Sequence, residues 1–304
     1  MPHEQRRILI KSLIYLATTA VVFLTISHAR AQLTFPGASP LSAGNFTILE
    51  QPTITEESSN FQRIIGQTVI LYGASPNLAL ITESNLFVNT MADVVSGGKT
   101  VRLAASGIGD TTQEARYTVY QLDGTASTFR LAPLIGLTLP TGMDGANPQM
   151  PREDQPGMGN FGGRIAMTSS WQTLHWNAEA EIGYNSYAPG AGYQVGNQFV
   201  ADAAFHYVIW PRDLSANIPG ELFASLETNY FDTGNSRING QTSPGTGGQL
   251  WLLDPGLDYS TPHYGVALTA LLPIQQQTMN GIGNRYDFGI ELHFRWSFYT
   301  SYHW

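Results

Sequence analysis

The sequence predicts an all-β protein, an antiparallel transmembrane β-barrel of about 12 strands in up-and-down (meander) order. Three observations predict it. Apolar and polar residues alternate with a period of two in one segment after another, the pattern of strands with two unlike faces. Charged residues make up 12% of the 304 residues, well below the quarter usual in a soluble domain. Connections alternate between short and long, as in barrels with short periplasmic turns and longer outer loops.

The elements follow in order. Residues 1–31 have the form of a secretory signal peptide: basic Arg6, Arg7 and Lys11, an apolar Ile14 to Ile26, and the cleavage pattern Ala29-Arg30-Ala31. Cleavage near Ala31 makes 32–304 the barrel domain. An anchor helix fits less well, because the stretch is short and carries Thr18, Thr19 and Thr25. Cleavage removes Arg6, Arg7, Lys11, Arg30 and Glu4, leaving 11 basic and 22 acidic residues of the original 15 and 23. So acidic a chain, with only Lys11 and Lys99 as lysines, predicts no nucleic-acid partner. It has no cysteine, which excludes a lipoprotein anchor, thiolate metal sites and disulfides.

After a Pro/Ser/Gly-rich lead, Thr34 to Ala43, strands are expected near 44–50, 61–73, 77–90, 108–122, 127–139, 160–172, 175–187, 196–210, 220–233, 248–260, 264–276 and 285–304. The segment 44–50 is needed for an even count of twelve; ten would follow if the first segments were plug or tail. Pro133 lacks an N–H, so a bulge or break is expected there. Short connections fall at 74–76, 123–126, 173–174 and 261–263, with 211–219 intermediate. Long ones fall at 91–107, 140–159, 188–195, 234–247 and 277–284. With the C-terminus periplasmic, counting back puts every long loop outside.

The faces can be assigned. The last segment places Phe288, Ile290, Leu292, Phe294, Trp296, Phe298, Tyr302 and Trp304 on one side. Segment 175–187 places Trp176, Ala178, Ala180, Ile182 and Tyr184 on one side and Asn177, Glu179 and Glu181 on the other. A secreted β-sandwich would also alternate, but its exposed face would carry lysine. Here Trp and Tyr cluster near strand ends, as in the aromatic girdles of membrane barrels. Outer-membrane lipid is therefore the expected surroundings, in the envelope of a Gram-negative cell.

Inward positions supply the lumen-lining candidates: Arg116, Arg130, Arg164, Glu179, Glu181, Asp202, His206, Glu221, Glu227, Asp287, Glu291, His293 and Arg295. As a set they fit a bore that selects solutes by charge. Singly, each also fits a structural pair across strands. No catalytic residue is assigned. His175, His206, His263 and His293 are present, but no G-x-S-x-G or H-E-x-x-H pattern is, and Asp202 and His206 merely share a strand face. No metal site is assigned either. Asp144, Glu153 and Asp154 in the 140–159 loop could ligate calcium, but their spacing matches no EF-hand, and a solvated outer loop or one folded into the mouth is the plainer expectation. No cofactor is implied.

Several pieces resemble a known family. Leu131 to Gly142, ending in Leu139-Pro140-Thr141-Gly142, is similar to the strand end of the barrels of the MetA-pathway of phenol degradation family, often called transporters. Tyr72-Gly73, Gly107-Ile108-Gly109-Asp110, Gly157-Met158-Gly159-Asn160-Phe161 and Pro255-Gly256-Leu257-Asp258-Tyr259 match as well. The resemblance spans roughly residues 60–300 and implies an outer-membrane barrel near aromatic catabolism. The terminal stripe, entered by Asp287-Phe288-Gly289, also resembles the signal read by the barrel-assembly machinery, which is an expected partner. The function expected is a porin-like passive channel for small solutes, aromatic or hydrophobic ones included. The alternatives are a closed structural or adhesion barrel that binds through its outer loops, and an outer-membrane hydrolase.

Overall fold

A computed structural model describes residues 38, 41–56, 61–96, 99–190, 192–212, 219–277 and 286–299. The signal peptide, the 277–284 loop beyond Gln277 and the strand expected past Tyr299 lie outside the described residues. Within them the chain forms strands β1 (Phe46–Glu56), β2 (Phe61–Gly73), β3 (Leu78–Ser96), β4 (Lys99–Gly107), β5 (Thr111–Tyr117), β6 (Tyr120–Asp123), β7 (Ser127–Leu139), β8 (Gly162–Thr173), β9 (Trp176–Tyr187), β10 (Tyr193–Gln194), β11 (Gln198–Trp210), β12 (Glu221–Thr233), β13 (Arg237–Ile238), β14 (Gln241–Thr242), β15 (Gly248–Ser260), β16 (Tyr264–Gln277) and β17 (Phe288–Phe298).

Twelve of these make a closed wall. Going round, the order is β1-β2-β3-β5-β7-β8-β9-β11-β12-β15-β16-β17, every neighbour antiparallel, with β6 continuing β5 along the edge of β7. The ring closes where β17 pairs with β1, from Phe46 opposite Phe298 to Glu56 opposite Phe288. Closure leaves no row of unpaired backbone groups, which hydrocarbon would not solvate. β10, β13 and β14 form a small separate sheet that ties the 188–197 and 234–247 loops together.

The outer face is apolar because alternate residues meet lipid. Ile135 and Ile165 are each 64% exposed, and Ile182, Phe205, Leu226, Leu257 and Leu268 stand out on the same surface. Aromatics gather at two levels. Phe199, Tyr230 and Trp251 form an edge-to-face chain toward the outer ends of their strands. Toward the inner ends Trp171 meets Trp176 edge to face, and Trp176 stacks on Phe205. Phe199 and Phe205 are six residues apart on β11, roughly 20 Å of strand. This is the geometry of two interfacial girdles.

Three expectations are corrected. First, 91–107 is not a loop. β3 runs on to Ser96 and β4 pairs back onto it from Lys99 to Gly107, making a two-stranded arm above the wall. The reason is a bulge. Leu86 and Phe87 are both exposed, and the register with β2 shifts at Gly66/Gln67. Buried positions therefore switch from odd (Ala79, Ile81) to even (Val88, Thr90, Ala92), and the alternation is lost in the sequence. Second, β1 continues to Glu56 because Thr53, Ile54 and Thr55 pair on both sides, with β2 and β17. Third, β7 passes through Pro133 unbroken. The break falls opposite it, at Thr118-Val119 between β5 and β6, where no partner N–H from Pro133 exists to be met.

A charge on the outer face should prevent assembly. Ile135→Arg carries a penalty of about 2–4 kcal/mol if it sits near the bilayer midplane. The folded fraction in lipid vesicles, read from the shift in gel mobility on heating, should fall sharply. Full folding of this variant would mean that the faces are reversed.

Candidate functional site

The inner face is where polar side chains collect. Glu114, Arg164 and Glu181 form its central ion-pair group. Arg164 Nε lies 3.3 Å from Glu114 Oε1, and its other arm donates to Glu181. Gly136 makes this possible. It is paired with both Glu114 and Arg164 on the flanking strands, and a Cβ there would sit 3.1 Å from Glu114 Cγ and 3.3 Å from Arg164 Cβ. Arg116 is buried beside them, within the field of Glu179, Glu181 and Glu114.

The next rows are more acidic. Glu181 stands directly opposite Asp202, which stands opposite Asn229. One row further in, Glu227 stands opposite Asp254. Directly opposed side chains on one face have Cβ atoms about 4.5–5.5 Å apart, and like charges placed so repel. Asn229 donates to Asp254, and Asn177 donates to Glu179 at 2.9 Å. On β17, Glu291 accepts from Thr53 at 3.0 Å and lies 2.6 Å from His293 Nε2, while Gln51 lies 3.1 Å from His293 Nδ1.

These groups surround a cavity of about 300 Å³. Its wall carries six carboxylates, Glu83, Glu114, Glu181, Asp202, Asp254 and Glu291, against the single cation Arg164. Asn185, Gln198 and Asn229 add amides, and Val200, Phe231, Leu252 and Leu271 add an apolar side. Glu83, Glu114 and Asp254 were not among the residues picked from the sequence. Glu114 shares its parity with Arg116 and was legible. Asp254 was masked by the inward Leu252 beside it.

The remaining sequence candidates scatter. Arg130 lies nearer the inner end and reaches Gln121 and Gln172, each at 3.4 Å. Arg295 donates to Ser260 and to the Thr261 carbonyl at 2.9 Å. Glu221 begins β12 at the inner rim and is half-buried. His206 is buried opposite Asn177 and Ser225, and neither ring nitrogen has a hydrogen-bond partner. Asp287 does not join the lining. It is exposed because it lies at the rim, one residue before β17 begins, where the bore opens to solvent; its N–H donates to the Glu56 carbonyl at 2.8 Å.

Both ends of the bore are narrowed. At the outer end the 140–161 loop folds inward. Met150 packs against Phe61, Ala92 and Ala105, and Asp154 lies 3.5 Å from Arg63. Asp144 pairs with Arg152. These carboxylates are matched by arginines instead of converging on a common point. Among the described residues no group of three or more His, Cys, Asp or Glu is arranged to hold a metal ion. The loop is clasped by Asp110, whose two oxygens accept from the N–H of Gly142 (2.9 Å) and of Met158 (2.7 Å). Gly109, Gly142 and Gly157 touch backbone to backbone, and a Cβ on Gly142 would meet Gly109 and Gly157 at 2.7 Å. The three glycine motifs at 107–110, 139–142 and 157–161 are therefore one structure. At the inner end Leu41 packs on the inward cluster Leu49, Val69, Leu71, Ile81 and Leu134. The Gly44 N–H donates to Gly73, which has no Cβ to collide with the Leu41 and Ser42 carbonyls.

The family model described as "Putative MetA-pathway of phenol degradation" matches residues 36–300. The chain belongs to this family. No curated protein matches its sequence. Among solved structures it is similar to the COG4313 outer membrane channel from Pseudomonas putida F1, at 15% identity, with 87% of this chain and 100% of that chain covered and a TM-score of 0.61. At that identity the likeness is one of fold. The outer membrane protein OpdK from Pseudomonas aeruginosa (10% identity, 84% and 97% covered, TM-score 0.37) and LpxR from Salmonella typhimurium (9%, 83% and 99%, 0.38) superpose less well.

Removing the Asp110 clasp should free the mouth. Asp110→Ala strands two N–H groups that now meet a carboxylate, each such bond being worth about 1.5–3 kcal/mol. In intact cells or proteoliposomes, external protease should then cut the 140–161 loop at least about tenfold faster. An unchanged rate would mean that the loop is held elsewhere.

Proposed function

We propose that this protein is an outer-membrane channel through which small solutes cross by passive diffusion. The observation that carries the reading is the inner face. A barrel serving only as a scaffold gains by filling its middle with apolar side chains, yet here carboxylates, Glu181 and Asp202 directly opposed among them, line a 300 Å³ space between the apolar packing of Met150 and that of Leu41. Buried charge of this kind costs stability and is retained where function needs it. The fold it shares with an outer membrane channel, and the family it belongs to, support the same reading.

The chain would reach that membrane after cleavage near Ala31, with the C-terminal strand presented to the barrel-assembly machinery. The family description supports a solute drawn from aromatic compounds. Transport without catalysis is proposed, since His206 has no hydrogen-bonded partner to orient it as a base.

The purified protein in planar bilayers should give discrete, small current steps, and liposomes containing it should pass small solutes. Silence in both assays would contradict the channel and favour a closed barrel that binds at its outer loops.

A further inference from the structure

We propose that the middle of the bore binds an organic ammonium cation carrying a small apolar or aryl group. This rests on the channel reading and names the solute class it would favour.

The first ground is charge. Six carboxylates face the cavity and one arginine does, and Glu114 and Glu181 already engage that arginine. The second is unmet capacity. Asp202 is 8% exposed and Asp254 is 0% exposed, and each has one carboxylate oxygen, Oδ1, with no hydrogen-bond partner while lining the cavity. The third is register. Glu181 is set directly opposite Asp202, and Asp254 lines the same cavity two strands further on. The Glu181–Asp202 pair, both members of which line the cavity, repels in a poorly screened bore, and a cation between the strands relieves it.

The rest of the wall narrows the class. Asn185 donates to Gln198 at 3.1 Å and Asn229 donates to Asp254, which spends an N–H of each amide on the wall and leaves its carbonyl oxygen able to accept. A lining of acceptors suits a ligand that only donates, as an ammonium group does. The described residues hold no cluster suited to a bare metal ion. Phe231, Leu252 and Leu271 make an apolar side on which a short alkyl or aryl group can lie, and a ring face attracts the cation further. About 300 Å³ is at the small end of ligand cavities. An aromatic carboxylate would meet the same wall with the wrong sign.

The test uses three molecules of nearly one shape: phenethylammonium, neutral 2-phenylethanol and anionic phenylacetate. Each is titrated calorimetrically into the full-length barrel in detergent. Phenethylammonium should bind saturably at one site, and the other two at least about tenfold more weakly. Asp202→Asn with Asp254→Asn should weaken the cation by about tenfold or more, with folding checked by heat-shifted gel mobility. If the pair does not fold, Asp254→Asn alone is held to the same expectation. No saturable cation binding, equal binding of all three, or unchanged affinity in a folded variant would overturn the proposal. Bilayer recordings separate the two readings. Current without cation binding removes only the site, and cation binding without current removes only the channel.

Discussion

Everything in this structure depends on the demand that no backbone N–H or C=O be left unpaired where hydrocarbon surrounds it. The demand is met by closing the wall, and the closing seam is the ladder between β1 and β17. That seam joins residues about 250 positions apart in the chain, with Thr47 Oγ1 and Ser297 Oγ 3.1 Å apart across it. Once the ring is closed, each strand has one face on lipid and one on the bore. The period of two, the exposed isoleucines and leucines, and the two aromatic levels all follow from it.

The same closure explains why the inner face can hold so much charge. Side chains that would be lost to solvent on an open sheet are gathered into a narrow space, where Arg164 can serve Glu114 and Glu181 together. Glycine decides where such pairs reach across. Gly136 clears the way for the Glu114–Arg164 contact, and Gly109, Gly142 and Gly157 let the 140–161 segment lie directly on the 108–110 connection between β4 and β5. The family motifs in this region thus act through the close backbone contact of their glycines and through the Asp110 carboxylate that clasps the loop. The ends are narrowed by apolar packing, Met150 outside and Leu41 inside, and the charged middle lies between.

Most of the wall was legible because polarity marks the face of a strand. β7, β9, β11, β12 and β17 could be placed from alternation alone. Where polarity stops marking the face, the sequence falls silent. Leu86 and Phe87 shift the parity of β3 and hide the arm beyond it. Leu49, Val69, Leu71, Ile81 and Leu134 face inward although apolar, because Leu41 covers them, a partner no local pattern announces. The charged residues of the bore were found as inward positions. Their grouping was not, since it depends on which strands stand side by side and at what register. Asp202 and Asp254 meet one cavity only because β11, β12 and β15 are neighbours.

The seam itself can be measured. The chain has no cysteine, so Thr47→Cys with Ser297→Cys introduces one possible disulfide. Their hydroxyls are already in contact across antiparallel strands, at a spacing a disulfide can bridge with little movement. In outer-membrane preparations, mild oxidation should join the two positions within one molecule. A single cut in an outer loop should then yield fragments that part only on reduction. Absence of the bond in folded protein, or bonds only between molecules, would show that β1 and β17 do not meet and that the barrel is not closed in this way.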